Sequence, residues 1–246
     1  MNKIINNLKS TGMIGIKTSF EDEGQTFDNM IKLQKITSEN NMKLVIKIGG
    51  AEAKTDIKMA EKLCANAVIA PMVETQYSVN KFINCNTLLD KGINVETFTA
   101  CNNIKEILKE GDTLSYITIG RVDLVGSLQK SRKEINSDEI YNIVEKTFKS
   151  VRQEYGSKIK ICLGGSIDKN SFNFINKLNK SGLIDYAETR FIIFDVNKLL
   201  NNFNYALYNA HKFELEWLKY QNNNESEVLN QRIKRQKMID TRLKNF

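Results

Sequence analysis

Seven short apolar, β-branched runs recur along the chain, at 13–17, 44–48, 67–70, 93–95, 116–119, 159–163 and 191–194. Amphipathic stretches separate them. Phe27, Met30, Ile31, Leu33 and Ile36 fall three and four apart, the spacing of one helical face. Ser137-Asp-Glu-Ile140 opens another helix with a hydroxyl cap and early acids, and Ile140, Ile143, Val144, Phe148 and Val151 form its stripe. Strand, helix, strand at this repeat predicts right-handed crossovers and a parallel sheet. A length of 246 residues, 41% of them hydrophobic, suits one (β/α)8 TIM-type barrel over residues 1–200. Seven runs fall one short of eight. Either the first strand is reduced or hidden in the N-terminal dozen residues, or another element completes the barrel. Residues 201–246 read as two helices split by the polar break Gln221-Asn-Asn-Asn224, an extension suited to oligomerisation. The first offers Phe213, Leu215, Trp217 and Leu218 to another subunit, and the second offers Val228, Leu229, Ile233, Met238, Ile239 and Leu243 opposite its basic residues.

Four of the runs pass straight into charged or glycine-rich residues. They are Leu44-Val-Ile-Lys-Ile-Gly-Gly-Ala-Glu52, Val68-Ile-Ala-Pro-Met-Val-Glu74, Ile93-Asn-Val-Glu-Thr97 and Tyr116-Ile-Thr-Ile-Gly-Arg-Val-Asp-Leu124. Charges so placed are costly inside a core unless they are paired or bound. Repeated at one end of successive parallel strands, they mark the rim where a barrel keeps its chemistry. Arg121 and Asp123, two apart on a strand, would share a face, with Glu96 about one strand away. Glu96 and Asp123, completed by waters and a chelating substrate, would make an octahedral Mg2+ or Mn2+ site. Such a metal can hold the carboxylate and ketone oxygens of a 2-oxo acid and stabilise the enolate beside them. Lys47 would add positive charge to the same oxyanion. The competing reading is an internal ion-pair network of Lys47, Glu74, Glu96, Arg121 and Asp123. Arg190 either neutralises a substrate carboxylate or phosphate or pairs internally, and Trp217 is most simply the anchor of an amphipathic helix.

Other classes find less support. Cys64, Cys85, Cys101 and Cys162 lack metal-finger or redox spacing, and Cys64 and Cys162 read as buried free thiols. The single histidine, His211, lies in a late helical segment, away from any cysteine in sequence. The net charge of +7 raises the question of nucleic acid. However, six basic residues against one acid fall between 231 and 244, without interleaved aromatics for base stacking. A solvated helix face, or one docked on another subunit, accounts for them, and no nucleic-acid partner is expected. No apolar run approaches the ~18 residues of a membrane span, and the first residues lack a signal-peptide core. A cytoplasmic protein with no membrane partner is the expectation.

Several motifs together resemble the HpcH/HpaI aldolase and citrate lyase beta-subunit family. They are Lys47-Ile-Gly-Gly-Ala-Glu-Ala53, Ala70-Pro-Met-Val-Glu74, Asn94-Val-Glu-Thr97 and Gly120-Arg-Val-Asp-Leu-Val-Gly-Ser127. The likeness runs over about residues 13–198, and the Val-Glu-Thr and Gly-x-x-Asp-Leu pair is its most specific part. The resemblance implies a pyruvate kinase-like barrel and a metal-dependent carbon–carbon lyase acting through the enolate of pyruvate or a related 2-oxo acid. Citrate- or malyl-CoA-type acyl-CoA lyase activity, or a retired barrel binding an anionic metabolite, are the alternatives. It makes Glu96 and Asp123 the Mg2+ or Mn2+ ligands. It places backbone N–H groups of Leu124, Val125, Gly126 and Ser127 on the substrate carboxylate. Lys47 stands where the family usually has an arginine, a departure because an ammonium is a point charge and not a planar fork. The histidine that the aldolase branch has after the first strand is missing, leaving Glu21, Glu23 or water to act as base, unless the two glutamates are simply a solvated acidic loop. Arg121, Arg190 and Glu74 complete the candidate set, and a homo-oligomer is implied.

Overall fold

A computed structural model describes residues 1–21 and 23–243, apart from the side chains at 224, 225, 227, 228, 231 and 237–243. Eight strands close into a barrel in sequence order. They are β1 (Met13–Ser19), β2 (Lys43–Lys47), β3 (Ala67–Ala70), β4 (Asp90–Asn94), β5 (Tyr116–Gly120), β6 (Lys160–Gly164), β7 (Tyr186–Glu188) and β8 (Ile192–Asp195). Helices α1 (Asn2–Ser10), α2 (Phe27–Glu39), α3 (Lys54–Lys62), α4 (Gln76–Ile83), α5 (Phe98–Asn102) and α6 (Ile104–Leu108) belong to the first half. The second half carries α7 (Arg121–Ser127), α8 (Asp138–Tyr155), α9 (Phe172–Lys180), α10 (Val196–Asn201) and α11 (Phe203–Leu243).

The first strand is neither missing nor reduced; at seven residues it is the longest. The strand without a sequence signal is β7, three residues reading Tyr-Ala-Glu. β1 to β7 pair in parallel, as alternation predicts, but β8 runs antiparallel to both β7 and β1. Only Thr189, Arg190 and Phe191 join β7 to β8, and a parallel return needs a crossover of a dozen or more residues. This tight return places Arg190 at the barrel mouth.

The main core lies between barrel and helices. Ile16, Ile46, Val68, Ile93, Ile117 and Leu163 meet Leu33, Phe82, Ile107, Phe148 and Ile175 there, all buried. A smaller set fills the barrel itself: Val45, Ala67, Ile69 and Ile193, with Tyr116 and Tyr186 packed on them. Alternate residues of a strand therefore face two different apolar layers, which is why the runs are mostly apolar on both faces. The α8 stripe is buried at Ile140, Val144, Phe148 and Val151, while in α2 Phe27 and Ile31 stay exposed beside the buried Met30, Leu33 and Ile36. Cys162 is buried, but Cys64 is exposed, because it follows the end of α3 in a left-handed conformation. Among the described residues no helix is long and apolar enough to cross a membrane.

Threonines and serines cap several helices at the rim. Thr26, Thr75, Thr97 and Ser137 each accept a hydrogen bond from the amide three residues on. The C-terminal segment is one continuous helix through Gln221-Asn-Asn-Asn224, not two. Asparagine costs a helix only about 0.7 kcal/mol relative to alanine, and no glycine or proline is present to break the run. Its first half packs on its own barrel. Phe203, Ala206, Leu207, Ala210, Phe213 and Trp217 are buried within the same chain, contrary to the expectation that Phe213 and Trp217 serve another subunit. Leu215 and Leu218 are exposed. Of the expected second-half stripe, Leu229 and Ile233 are exposed, and Val228, Met238, Ile239 and Leu243 fall outside the described side chains.

Candidate active site

A cavity of about 680 Å3 opens at the C-terminal ends of the parallel strands. Lys17 of β1, Lys47 of β2, Asn94 of β4, Glu96, Gly120, Asp123 and Glu188 of β7 line it, with Glu23, Arg132, the 165–168 loop, Arg190, His211 and Glu214 around them. Five of the sequence candidates meet here: Lys47, Glu96, Asp123, Glu23 and Arg190.

The two carboxylates converge on Gly120. A Cβ at this glycine would lie 2.6 Å from Glu96 Oε2 and 3.7 Å from Asp123 Oδ2, so only a glycine leaves the space between them. Glu96 is buried and accepts from the Met72 amide at 3.0 Å and from Asn94 Nδ2 at 3.1 Å. Burial pushes its carboxyl above the ordinary carboxylate range. The Met72 N–H opposes that shift and the nearby Asp123 charge adds to it. A carboxylate so placed gains from a neighbouring cation. Asp123 is exposed in the cavity. Two oxygen-donor carboxylates around a glycine-made gap suit a hard divalent cation that keeps its other positions for water and substrate. Among the described residues no group of three or more His, Cys, Asp or Glu side chains forms a closed metal cluster.

Beneath them the floor is charged. Lys17 pairs with Glu188, whose other oxygen lies 3.6 Å from Cys162 Sγ. Burial works against the Lys17 ammonium, but the charge and hydrogen bond of Glu188 outweigh it and hold its pKa above the ordinary lysine value. Burial pushes Lys47 the other way, below that value; Lys17 adds to the depression while Glu96 and Asp123 oppose it. Burial likewise raises the Cys162 thiol well above its usual range, which keeps it an inert wall residue.

Arg121 is not in the cavity. The strand ends at Gly120 and Arg121 begins α7, so Arg121 and Asp123 do not share a strand face. In a helix, two positions apart is more than half a turn, and the side chains diverge. Arg121 is fully buried, donating to Gly164 O and Gly165 O at 3.1 Å, to Asn136 Oδ1 and to Ser171 Oγ, with its guanidinium 4.9 Å from the Phe174 ring centre. Burial lowers its pKa to about 10, with Asp168 opposing. Its work is to tie the β6 loop to α7, and the five-membered ion-pair network does not form around it.

The segment expected to receive a carboxylate, 124–127, lies away from the cavity. Leu124 and Val125 are buried within α7, and Ser127 Oγ is spent on the Phe98 amide and Leu124 O. Amides late in the helix bond within it, whereas those of the first turn have no intrahelical partner. Val122 and Asp123, in that first turn, line the cavity, whereas Leu124, Val125, Gly126 and Ser127 do not. Gly165, at φ +84°, makes this possible. A Cβ there would stand 2.3 Å from the Arg121 nitrogen and 2.7 Å from that of Val122. Glu74 accepts from Thr97 Oγ1 at 2.5 Å, outside the cavity. Glu21 is exposed beyond the rim, beside Gly49. Glu23 is held by Ser19 Oγ and lies 3.7 Å from Arg190 Nε.

Sequence reading missed Lys17, Glu188, Asn94, Arg132 and His211. Lys17 and Glu188 each interrupt an otherwise apolar strand, the same signal that marks Lys47, but β7 was too short to register. His211 reaches the cavity from α11, which the sequence gives no reason to fold back over the barrel.

Neither a scan against protein-family models nor a search of curated proteins gives a match. Solved structures do. Citrate synthase SbnG superposes with a TM-score of 0.60 at 14% identity, covering 89% of this chain and 90% of that one. An HpcH/HpaI aldolase/citrate lyase family protein from Burkholderia cenocepacia J2315 gives 0.60 at 11% identity, over 88% of this chain and 90% of that one. A citrate lyase beta subunit from M. tuberculosis, complexed with oxaloacetate and magnesium, gives 0.51 at 14%, over 70% and 79%. The chain has the barrel fold of the HpcH/HpaI aldolase and citrate lyase family.

Proposed function

We propose that the protein is a divalent-metal-dependent carbon–carbon lyase acting through the enolate of pyruvate or a related short 2-oxo acid. The observation that carries this reading is the pair Glu96 and Asp123 converging on Gly120 at the barrel mouth, with the half-buried Lys47 beside them. Magnesium together with oxaloacetate in the citrate lyase beta subunit of like fold supports it. Glu96 and Asp123 would hold Mg2+ or Mn2+, which when bound supplies positive charge to the carboxylate and ketone oxygens of a 2-oxo acid.

The remaining work falls to the chain's own groups. Lys47 places an ammonium where negative charge grows on the ketone oxygen, and electrostatic help of this kind is strongest in a site that excludes water. Lys17 and Glu188 neutralise each other, so this pair adds no net charge to compete with the substrate. The first-turn amides of α7, left open by Gly165, receive the substrate carboxylate. Arg132 and Arg190 at the outer rim draw an anionic substrate inward.

The test is turnover of 4-hydroxy-2-oxo acids with Mg2+ or Mn2+, run beside melting curves. Asp123→Ala should abolish metal-dependent turnover and leave the melting temperature unchanged, since the carboxylate is exposed in the cavity. Glu96→Ala should also abolish turnover but cost about 1–3 kcal/mol, because the Met72 amide and Asn94 lose their acceptor. A parent protein that binds neither cation would sink the proposal.

A further inference from the structure

The cavity needs a group that can carry a proton to and from carbon, and most of its side chains are already committed. Glu188 is held by Lys17, and Glu23 by Ser19 and Arg190. Asp168 caps the turn after β6, accepting from the Asn170 amide at 2.9 Å and from Ser171. Glu96 and Asp123 form the cation site, and Arg132 and Arg190 are permanent cations with no lone pair to offer. His211 is different. It lines the same cavity, it is exposed, and it is the only histidine in the sequence. Imidazole is the side chain whose ordinary range lets it accept and return a proton near neutral pH.

Helix α11 holds it there by several anchors. Phe213 packs edge-on against Phe191 with ring centres 6.2 Å apart, and the Phe191 carbonyl accepts from the Lys17 amide of β1 at 2.8 Å. Trp217 is buried a turn further on. Gln221 donates to Gln25 at 3.1 Å, tying the helix to the loop that carries Glu23. On the other side Asn209 accepts from Asn7 of α1 at 3.0 Å. Glu214, one turn after His211 and so on the same helix face, lines the cavity too and can orient an imidazolium.

We infer that His211, delivered by the C-terminal helix, is the proton-transfer residue of this site. The inference rests on the enolate reading above. In the forward step the C–H bond next to the ketone breaks. Its electron pair forms the carbon–carbon double bond of the enolate, the carbonyl π pair moves to oxygen, and the proton passes to the free imidazole nitrogen. In the reverse step the imidazolium returns that proton to the enolate carbon.

Exchange of the pyruvate methyl protons in D2O with Mg2+, followed by proton NMR, tests both levels. The parent protein should exchange them and Glu96→Gln should not. His211→Ala should exchange at least 100-fold more slowly, recovering when free imidazole is added, which no purely structural role would allow. In the parent, Mg2+ with oxalate should also shift the imidazole C–H signals, which belong to one residue and need no assignment. Undiminished exchange in His211→Ala, or imidazole signals unmoved by oxalate, would overturn the inference and leave the enolate reading standing. Absence of exchange in the parent would overturn both.

Discussion

Lys47 and Lys17 show how neighbouring strands give one residue type two states. Both are half-buried lysines at the cavity floor, but Lys17 has Glu188 as a dedicated partner and Lys47 answers to several charges of both signs. Lys17 is therefore a fixed part of the wall, while Lys47 sits at the cavity among Glu96, Asp123 and Lys17. Lys47→Met should lower turnover by roughly 10²–10³, the usual size for losing one oxyanion donor. Lys47→Arg should keep part or all of it. Steady-state rates at saturating Mg2+ decide this, and borohydride trapping with pyruvate guards against another chemistry. A covalent adduct on Lys47 would replace the enolate mechanism with a Schiff base. At this scale the sequence was legible where a charge ends or soon follows an apolar strand, as at Lys47, Glu96 and Asp123, which all line the cavity. It misled at Arg121, because nothing in Gly-Arg-Val-Asp marks where strand becomes helix, and that boundary alone decides whether the arginine faces the cavity or the scaffold.

Among the elements, the strands with long β-branched runs could be read directly, since period and composition agree. β7 could not, because three residues held by β6 on one side and β8 on the other owe their conformation to neighbours and not to local preference. The same holds for α11. Its amphipathic pattern is plain, but which surface covers the apolar side depends on Phe191, the α1 contact and the 20–25 loop, all distant in sequence. Trp217 tests the observed packing. It is fully buried and stacks on Tyr220 with ring centres 5.3 Å apart, and its indole N–H has no hydrogen-bond partner among the described residues. Trp217→Ala should cost about 3–5 kcal/mol in urea denaturation, the range for deleting a large buried aromatic side chain. Trp217→Phe should cost much less, since no hydrogen bond is lost. A stability unchanged by the alanine would mean that the helix does not cover its own barrel in solution.

For the molecule as a whole, α11 divides into a half that serves the barrel and a half beyond Gln221 whose described side chains are all exposed. The outer half exposes Leu229 and Ile233, and Leu215 and Leu218 continue exposed apolar surface toward the barrel. The sequence between 231 and 244 carries six basic residues against one acid. An exposed apolar stripe on a charged helix is the pattern of a face that docks. The occupant expected here is a second copy of the chain. Because the last buried anchor among the described residues is Gln221, deleting residues 222–246 should leave the barrel's melting temperature unchanged while lowering the mass seen by light scattering. Dimer formation should persist at high salt if leucine and isoleucine drive it, since burial of apolar surface is not screened. A different result would assign the helix to phosphate binding: truncated and full-length chains of equal oligomeric state, with only the full-length protein binding DNA, and doing so with an affinity that falls steeply as salt rises.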